Sequence, residues 1–229
     1  MLRSMGTTIV LLPAGVRIPG DIVDLETFRR WTRSDSFPRE GRIDWVGGEM
    51  EVDLSPERAN SHGGPKGEVA HLFTSLVQHA GRGFVYIDSM RYADEGADLS
   101  AEPDVLVVLV DSLERGRVRL IRSAKDDDVV EIAGAVDLVV EVVSRGSRDK
   151  DTRTLPPRYY RAGVGEYWLV DALGESPMLS VHVRGPDGFV ENAPDDSGFR
   201  RSPFLGLAVR LVRQQERAGL VAYRVEPRP

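Results

Sequence analysis

Apolar residues follow one another with few interruptions in two stretches of the chain, residues 103–110 and 136–144. Short runs rich in Val and Leu are typical of strands that are covered on both faces of a sheet. The same criteria predict further strands at residues 84–92, 117–122, 129–133 and 166–171, and hairpin-like segments near 178–184 and 188–192. The chain is therefore rich in strands along most of its length.

Two other segments carry apolar residues at helical spacing. Within residues 24–33, Leu25, Phe28 and Trp31 recur every three residues, which predicts one face of a helix. Residues 66–80 carry a longer apolar stripe, made of Val69, Leu72, Phe73, Leu76 and Val77. Gly81 follows this stripe as a helix stop signal.

A hairpin and a third helix complete the predicted elements. Residues 42–46 and 49–54 alternate on either side of Gly47-Gly48, which predicts two strands joined by a tight turn. The pair Pro156-Pro157 fits only the first turn of a helix, so a helix is predicted to begin near residue 154 and to end at Gly163. The predicted fold class is α/β (α+β), with a mixed β-sheet flanked by helices and preceded by an N-terminal helix and β-hairpin.

Composition narrows the class of protein. The chain has 229 residues, of which 41% are hydrophobic, and this suits a single domain over residues 1–229. It has no cysteine, which excludes disulfides, thiolate zinc sites and a Cys nucleophile and favours a cytoplasmic protein. No apolar run is long enough to cross a membrane. The net charge of -6 argues against a generally basic surface, although Arg and Lys cluster within residues 145–161 and 200–213.

The most informative residues are two acids in the apolar strands, Asp104 and Glu141. An ionised carboxylate in such a strand costs several kcal/mol unless a cation or a hydrogen-bond donor compensates it. Because side chains alternate along a strand, Glu141 shares a face with Val139 and Val143, and Asp104 shares one with Leu106. If the two strands pair, both carboxylates can point into one cleft.

Two carboxylates facing one cleft predict a metal site. Hard oxygen ligands in small number, completed by water, suit Mg²⁺ or Mn²⁺. The backbone carbonyl of Val142 is a further possible ligand. Such an ion would lower the pKa of a bound water and stabilise charge on a phosphate oxygen. The alternative is a structural Glu141 that forms a salt bridge with Arg145 or Arg148.

The order of three motifs resembles the Uma2 family, whose members are described as restriction endonucleases and belong to the PD-(D/E)XK nuclease superfamily. The motifs are Pro103-Asp104, then Asp137-Leu-Val-Val-Glu141-Val-Val-Ser144, then Tyr160-Arg-Ala-Gly-Val-Gly-Glu-Tyr-Trp-Leu-Val-Asp171. The resemblance covers roughly residues 20–185 and implies a restriction-endonuclease-like core. It leaves residues 186–229 as a C-terminal extension packed on that core.

The resemblance implies that Asp104 and Glu141 are the two metal-binding acids of the superfamily. The superfamily's lysine should follow two residues after the second acid, where this chain has Val143. In Uma2-like proteins the lysine moves to about fourteen residues after that acid, where this chain has Leu155. The preferred substitute is Lys150, whose charge could assist the attacking water, and the alternative is that Lys150 is plain surface charge.

Other candidates accompany the two acids. Glu68 could be a further metal ligand on its helix, or a solvated or helix-dipole glutamate. His62 lies in a loop where Uma2-like proteins often carry a histidine, and it could contact phosphate, order the site or cap the loop. The segment after Glu141 supplies hydroxyls and cations suited to positioning phosphate, from Ser144, Arg148 and Arg153.

The leading hypothesis is a DNA endonuclease that depends on Mg²⁺ or Mn²⁺ and uses Asp104, Glu141 and Lys150. The alternative is a nuclease-fold protein without catalysis that serves as a binding or assembly module. The missing lysine and the acidic net charge favour the alternative. The two retained carboxylates favour the enzyme, since apolar replacements of buried charges are often neutral or stabilising. The resemblance also implies a homo-oligomer, expected to be a dimer.

Overall fold

The computed structural model describes residues 9–11 and 16–229. Its first elements are a two-stranded antiparallel ribbon, β1 (Ile9–Leu11) and β2 (Val16–Ile18), and the helix α1 (Leu25–Thr32). Asp24 caps this helix, because its side chain accepts a hydrogen bond from the Thr27 amide. The predicted N-terminal helix is therefore confirmed.

A six-stranded sheet, here called the outer sheet, follows the N-terminal helix. Its strands, in spatial order, are β4 (Glu49–Asp53), β3 (Arg42–Val46), β7 (Leu99–Ala101), β6 (Arg91–Asp94), β10 (Val129–Gly134) and β9 (Val118–Arg122). Strands β3 and β4 form the predicted hairpin, and both turn glycines have positive φ, 64° at Gly47 and 88° at Gly48. The outer sheet is antiparallel except between β6 and β10.

A second six-stranded sheet, here called the central sheet, carries the two acidic strands. Its spatial order is β14 (Phe189–Glu191), β13 (Met178–Arg184), β12 (Glu166–Asp171), β11 (Leu138–Val142), β8 (Val105–Leu109) and β5 (Gly83–Ile87). Strands β11 and β12 are parallel and the other neighbours are antiparallel, so the predicted mixed sheet is confirmed.

The single strand predicted at residues 84–92 is wrong. The structure divides this segment between the two sheets, with β5 in the central sheet and β6 in the outer sheet. Between them, Asp88 and Ser89 have φ values of 52° and 51°, in the left-handed region that ends a strand. Local composition hid this break because neither residue is a glycine or a proline.

The helices differ from their predicted bounds at their first turns. Helix α2 (Gly64–Phe73) lies between two π-helical turns, Ala59–Gly63 and Thr74–Gln78, so the helical segment begins before residue 66. Helix α3 (Val110–Glu114) was not predicted. Helix α4 (Leu155–Arg161) follows another π-helical turn, Lys150–Thr154, so Lys150 lies in a helical turn rather than in a loop.

The remaining strands form a small antiparallel sheet of β15 (Arg200–Ser202), β16 (Leu207–Arg213) and β17 (Tyr223–Arg228). Apolar residues of β16 and β17, such as Val209 and Val225, share a buried cluster with Val69 of α2. Strand β14, although it follows residue 185, extends the central sheet. Among the described residues, no helix has the length and apolar character needed to span a membrane.

Two apolar clusters cover the two faces of the central sheet. Val140 and Val142 of β11 lie in the cluster that includes α2 and the C-terminal strands. Val139 lies in the other cluster, with Leu106 and Val108 of β8 and with residues of α4 and the outer sheet. The alternation predicted for the two acidic strands is therefore confirmed, and Asp104 and Glu141 project on the side of α4 and the outer sheet.

Candidate active site

Antiparallel pairing brings the two acids together. Val105 lies opposite Val140 and Leu106 opposite Val139, so Asp104, one residue before β8, lies beside Glu141 on β11. Each acid is only 1% exposed. The condition stated from the sequence, that the two strands pair, is met.

Asp104 is held by several donors. Its Oδ1 accepts a hydrogen bond from Arg42 Nη2 at 2.9 Å, and its Oδ2 accepts one from the Val142 amide at 2.7 Å. His62 Nε2 lies 3.5 Å from the same Oδ2. Burial alone would raise the pKa of Asp104, but His62 and Arg42 together hold that pKa well below its usual range. Asp104 is therefore ionised at neutral pH.

Glu141 has a different environment. The Tyr159 hydroxyl donates a hydrogen bond of 2.5 Å to Oε1, while Oε2 is buried and has no hydrogen-bond partner within the described residues. Burial, together with the charges of Asp104 and Asp151, raises the pKa of Glu141 well above its usual value. The site therefore favours a cation, or a proton, beside Glu141.

Asp151 is a third buried acid near this pair. Its Oδ2 accepts a hydrogen bond from the Ser147 hydroxyl, and its Oδ1 is buried and has no partner in the described part of the chain. Burial raises the pKa of Asp151 to about 7, although the charge of Lys150 opposes this shift. The Tyr167 hydroxyl donates to the Asp151 carbonyl at 2.7 Å, which fixes the turn that carries Asp151.

Lys150 points inward rather than toward solvent. Its Nζ donates a hydrogen bond of 2.9 Å to Asp44 Oδ2, and its side chain is 10% exposed. Burial would lower the pKa of Lys150, but the charges of Asp44 and Glu141 outweigh it and raise that pKa. The structure thus brings the charge of Lys150 close to Glu141, although an ion pair with Asp44 holds it there.

A cleft of about 660 Å³ opens beside the acids. Arg42 and His62 line the cleft and also contact Asp104, whereas neither acid of the pair is itself part of the lining. Charged residues are common in the wall, which includes Arg39, Arg58, Lys66, Arg145, Asp53, Glu57, Asp88 and Glu102. The acid pair therefore lies beneath the cleft floor, behind Arg42 and His62.

The other residues singled out in the sequence lie in several places. Ser144 lines the cleft, and its hydroxyl forms a hydrogen bond with Ser147. Arg148 forms an ion pair of 2.6 Å with Asp171 and does not line the cleft. Arg153 is exposed on the π-helical turn before α4, and it lies 3.5 Å from an aspartate four residues earlier. The structure thus gathers only part of the predicted phosphate-binding set.

Two further interpretations concern Glu141 and Glu68. Within the described residues, neither Arg145 nor Arg148 forms an ion pair with Glu141, so the interpretation of Glu141 as their salt-bridge partner is wrong. Glu68 lies two positions after Lys66, which places the two side chains about 200° apart around the axis of α2. Glu68 forms no ion pair in the described part of the chain, whereas Lys66 does. Lys66 is the residue of this helix whose charge acts on Asp104.

Sequence reasoning missed five residues of the site: Arg42, Asp44, Lys66, Asp151 and Tyr159. Arg42 and Asp44 alternate on β3, so both project toward the acids from the outer sheet. The alternation within the hairpin was a usable signal for one shared face. The residues that this face contacts could not be predicted, because β3 and β8 are far apart in the sequence.

The donor set suits a hydrated divalent cation. Two buried carboxylates provide hard oxygens, and the unpartnered Oε2 of Glu141 is an available ligand atom. Within the described residues, no group of three or more His, Cys, Asp or Glu side chains is arranged to hold a metal ion. An ion between Asp104 and Glu141 would therefore have to take its other ligands from water or from the backbone.

Comparison with known proteins identifies the family. The fold is similar to the crystal structure of a protein from Anabaena variabilis ATCC 29413 that is described as a putative nuclease belonging to DUF820, with a TM-score of 0.58 at 18% identity, over 80% of this chain and 91% of that one. No curated protein matches the chain. The model of the Uma2 family, described as "Putative restriction endonuclease", matches residues 25–209. The chain therefore belongs to the Uma2 family.

Proposed function

We propose that this protein is a metal-dependent endonuclease that hydrolyses phosphodiester bonds of DNA. The observation that carries the proposal is the buried, unpartnered Oε2 of Glu141 beside the ionised Asp104. A carboxylate that lacks donors and has acidic neighbours is expected to be a ligand for a cation. The descriptions of the Uma2 family and of the Anabaena protein both support a nuclease.

Asp104 and Glu141 would hold Mg²⁺ or Mn²⁺, with the Val142 carbonyl as a further ligand. A bound ion of this kind lowers the pKa of a water and stabilises charge on phosphate oxygens. Tyr159 orients Glu141 through its hydroxyl, and the Val142 amide orients Asp104. Lys150 provides a positive charge beside Glu141, which favours the ionised carboxylate and assists an attacking water.

The cleft would receive the DNA backbone. His62 and Ser144 lie in its wall beside several arginines, so phosphate oxygens in the cleft would meet both donors and positive charge. The net charge of the whole chain is -6, and the cleft wall carries acids as well as arginines, so DNA would be held by contacts to individual cations and not by a uniformly basic surface. Arg148 and Arg153 lie outside this wall and would act on more distant phosphates. We also propose a homodimer, which sedimentation or light scattering would test.

A second candidate is a nuclease-fold protein that binds DNA or assembles without cleaving it. The observation that favours it is the position of the acid pair behind Arg42 and His62, beneath the floor of the cleft. In this alternative, Arg42 permanently neutralises Asp104, and the cleft serves only for binding.

A nicking assay on supercoiled plasmid with Mg²⁺ or Mn²⁺ distinguishes the two functions. The wild type should cleave, and Glu141→Gln and Asp104→Asn should each lower the rate by about 100-fold or more, since metal-held charge stabilisation contributes several kcal/mol. Circular dichroism checks that each variant is folded. Equal rates in all three proteins would refute catalysis through these acids, and binding without cleavage by any of them would favour the second candidate.

A further inference from the structure

The positions where the superfamily carries its lysine are unsuitable for a cation in this chain. Val143 and Leu155 are both fully buried, and Leu155 packs in the apolar cluster with Val139 and Tyr159. Lys150, the substitute suggested by the sequence, donates to Asp44 and does not line the cleft. A phosphate in the cleft would therefore need another cation.

Three cationic side chains line the cleft next to Asp104: Arg42, His62 and Lys66. Lys66 is already paired with two carboxylates, those of Asp88 and Glu57, and His62 donates toward Glu57 and Asp104. These contacts engage the ammonium of Lys66 with three carboxylate oxygens and both ring nitrogens of His62 with one each, so few donors are left on either residue.

Arg42 differs from its neighbours in the cleft. Its side chain is 23% exposed, and its one hydrogen bond within the described residues runs from Nη2 to Asp104 Oδ1. Asp88 Oδ1, at 3.6 Å, is within ion-pair distance but beyond hydrogen-bond distance, so Arg42 is also paired with two carboxylates but spends only one donor on them. A guanidinium has five N–H donors, so several remain for a ligand in the cleft.

We propose that Arg42 contacts the scissile phosphate and supplies the positive charge there, while Lys150 keeps its proposed role beside Glu141. The inference deepens the proposed function and rests on it. A guanidinium matches two phosphate oxygens with two parallel hydrogen bonds, and it keeps its charge at every relevant pH. Arg42 would therefore stabilise charge on the phosphate and would not act as a base.

The position of Arg42 couples substrate and metal ligand. Because the same guanidinium touches Asp104 and faces the cleft, a phosphate bound to Arg42 lies next to the carboxylate proposed to hold the cation. Arg42 reaches this point from β3, in the outer sheet, and not from β11 or α4. Because the cation comes from β3, the two usual lysine positions can be occupied by the apolar residues Val143 and Leu155.

The test measures the salt dependence of DNA binding in chelator, where no cleavage occurs. Each phosphate contact that is lost lowers the slope of log K against log salt concentration by about 0.9 for duplex DNA. Removing Arg42 alone would take away the ion pair of 2.9 Å that compensates the buried Asp104, so both partners are changed together. The proteins compared are Asp104→Asn and the double variant Arg42→Gln/Asp104→Asn, with fluorescence anisotropy on a short duplex.

The double variant should show a slope smaller by about 0.9 than Asp104→Asn. Arg115→Ala in the Asp104→Asn background is the matched control, because Arg115 is an exposed arginine on the C-terminal end of α3, outside the cleft, and its loss should leave the slope unchanged. In Mn²⁺, the Arg42→Lys variant should cleave DNA faster than the Arg42→Gln variant, because a lysine keeps the positive charge. A lysine does not form the two parallel hydrogen bonds of a guanidinium.

An unchanged slope in the double variant would overturn the inference and leave the endonuclease proposal standing. A slope lowered by Lys150→Ala instead of by the Arg42 change would also overturn it. A lowered slope together with no cleavage by the wild type would refute the proposed hydrolysis and retain Arg42 as a phosphate ligand. The two proposals can therefore fail separately.

Discussion

Two buried glutamates on neighbouring parallel strands have opposite surroundings. Glu166 on β12 accepts hydrogen bonds from Trp168 Nε1 at 2.6 Å, from Ser202 Oγ at 2.6 Å and from the Phe204 amide at 3.1 Å. Glu141 on β11 accepts only one within the described residues, from a tyrosine hydroxyl, and its second oxygen has no partner. Both side chains are almost completely buried.

The pKa shifts of the two acids have the same first cause and different second causes. Burial raises the pKa of both. At Glu166, hydrogen bonds from Ser202 and Trp168 oppose the shift, whereas at Glu141 the charges of Asp104 and Asp151 increase it. Glu166 therefore joins the C-terminal strands to the core through its hydrogen bonds, whereas the burial of Glu141 costs stability that its hydrogen bond from Tyr159 does not offset.

The largest expected effect is on stability, at Glu166. Glu166→Ala leaves three donors without an acceptor and should lower the free energy of unfolding by about 3 kcal/mol or more. Glu141→Gln should not lower it by more than about 1 kcal/mol, because a buried amide costs less than a buried carboxylate. Urea denaturation measures both. A larger loss for Glu141→Gln than for Glu166→Ala would contradict the comparison.

The second effect is on the response to divalent cations. Mn²⁺ at 100 times its dissociation constant should stabilise the wild type against unfolding by about 2.7 kcal/mol, because only the folded protein presents both carboxylates. Glu141→Gln should lose this response, and Glu166→Gln should keep it. Thermal unfolding with and without Mn²⁺ gives the answer without any activity assay. A full response in Glu141→Gln would place the cation elsewhere.

The smallest effect is on the pH dependence of stability, measured in chelator. Because the pKa of Glu141 is raised in the folded protein, its contribution to stability is present below its ordinary value of 4.5 and is lost as pH rises through the folded pKa. Glu141→Gln should therefore gain stability relative to the wild type as pH rises. Parallel curves for the two proteins would show that Glu141 is not penalised by ionisation.

Local patterns predicted the elements that depend on neighbouring residues. The hairpin around Gly47-Gly48 and the strand Glu166–Asp171 were predicted almost residue by residue, because alternation and turn composition are local properties. The division of residues 84–92 between two sheets was not, since it depends on which partners β5 and β6 find. Lys150 lies in the π-helical turn before α4, and its side chain points inward. The run of charged residues in this segment did not predict the turn.

From the sequence pattern alone it followed that Asp104 and Glu141, at the start of one buried strand and within another, face one side of a sheet, because strand geometry alternates side chains without regard to distant partners. The resemblance to the Uma2 family implied in addition that Val143 and Leu155 stand where a lysine is expected. Which arginine meets Asp104 depends instead on how the two sheets pack. Arg42 is 62 residues away from Asp104 in the chain, and an ion pair between two sheets leaves no periodic signal in either segment.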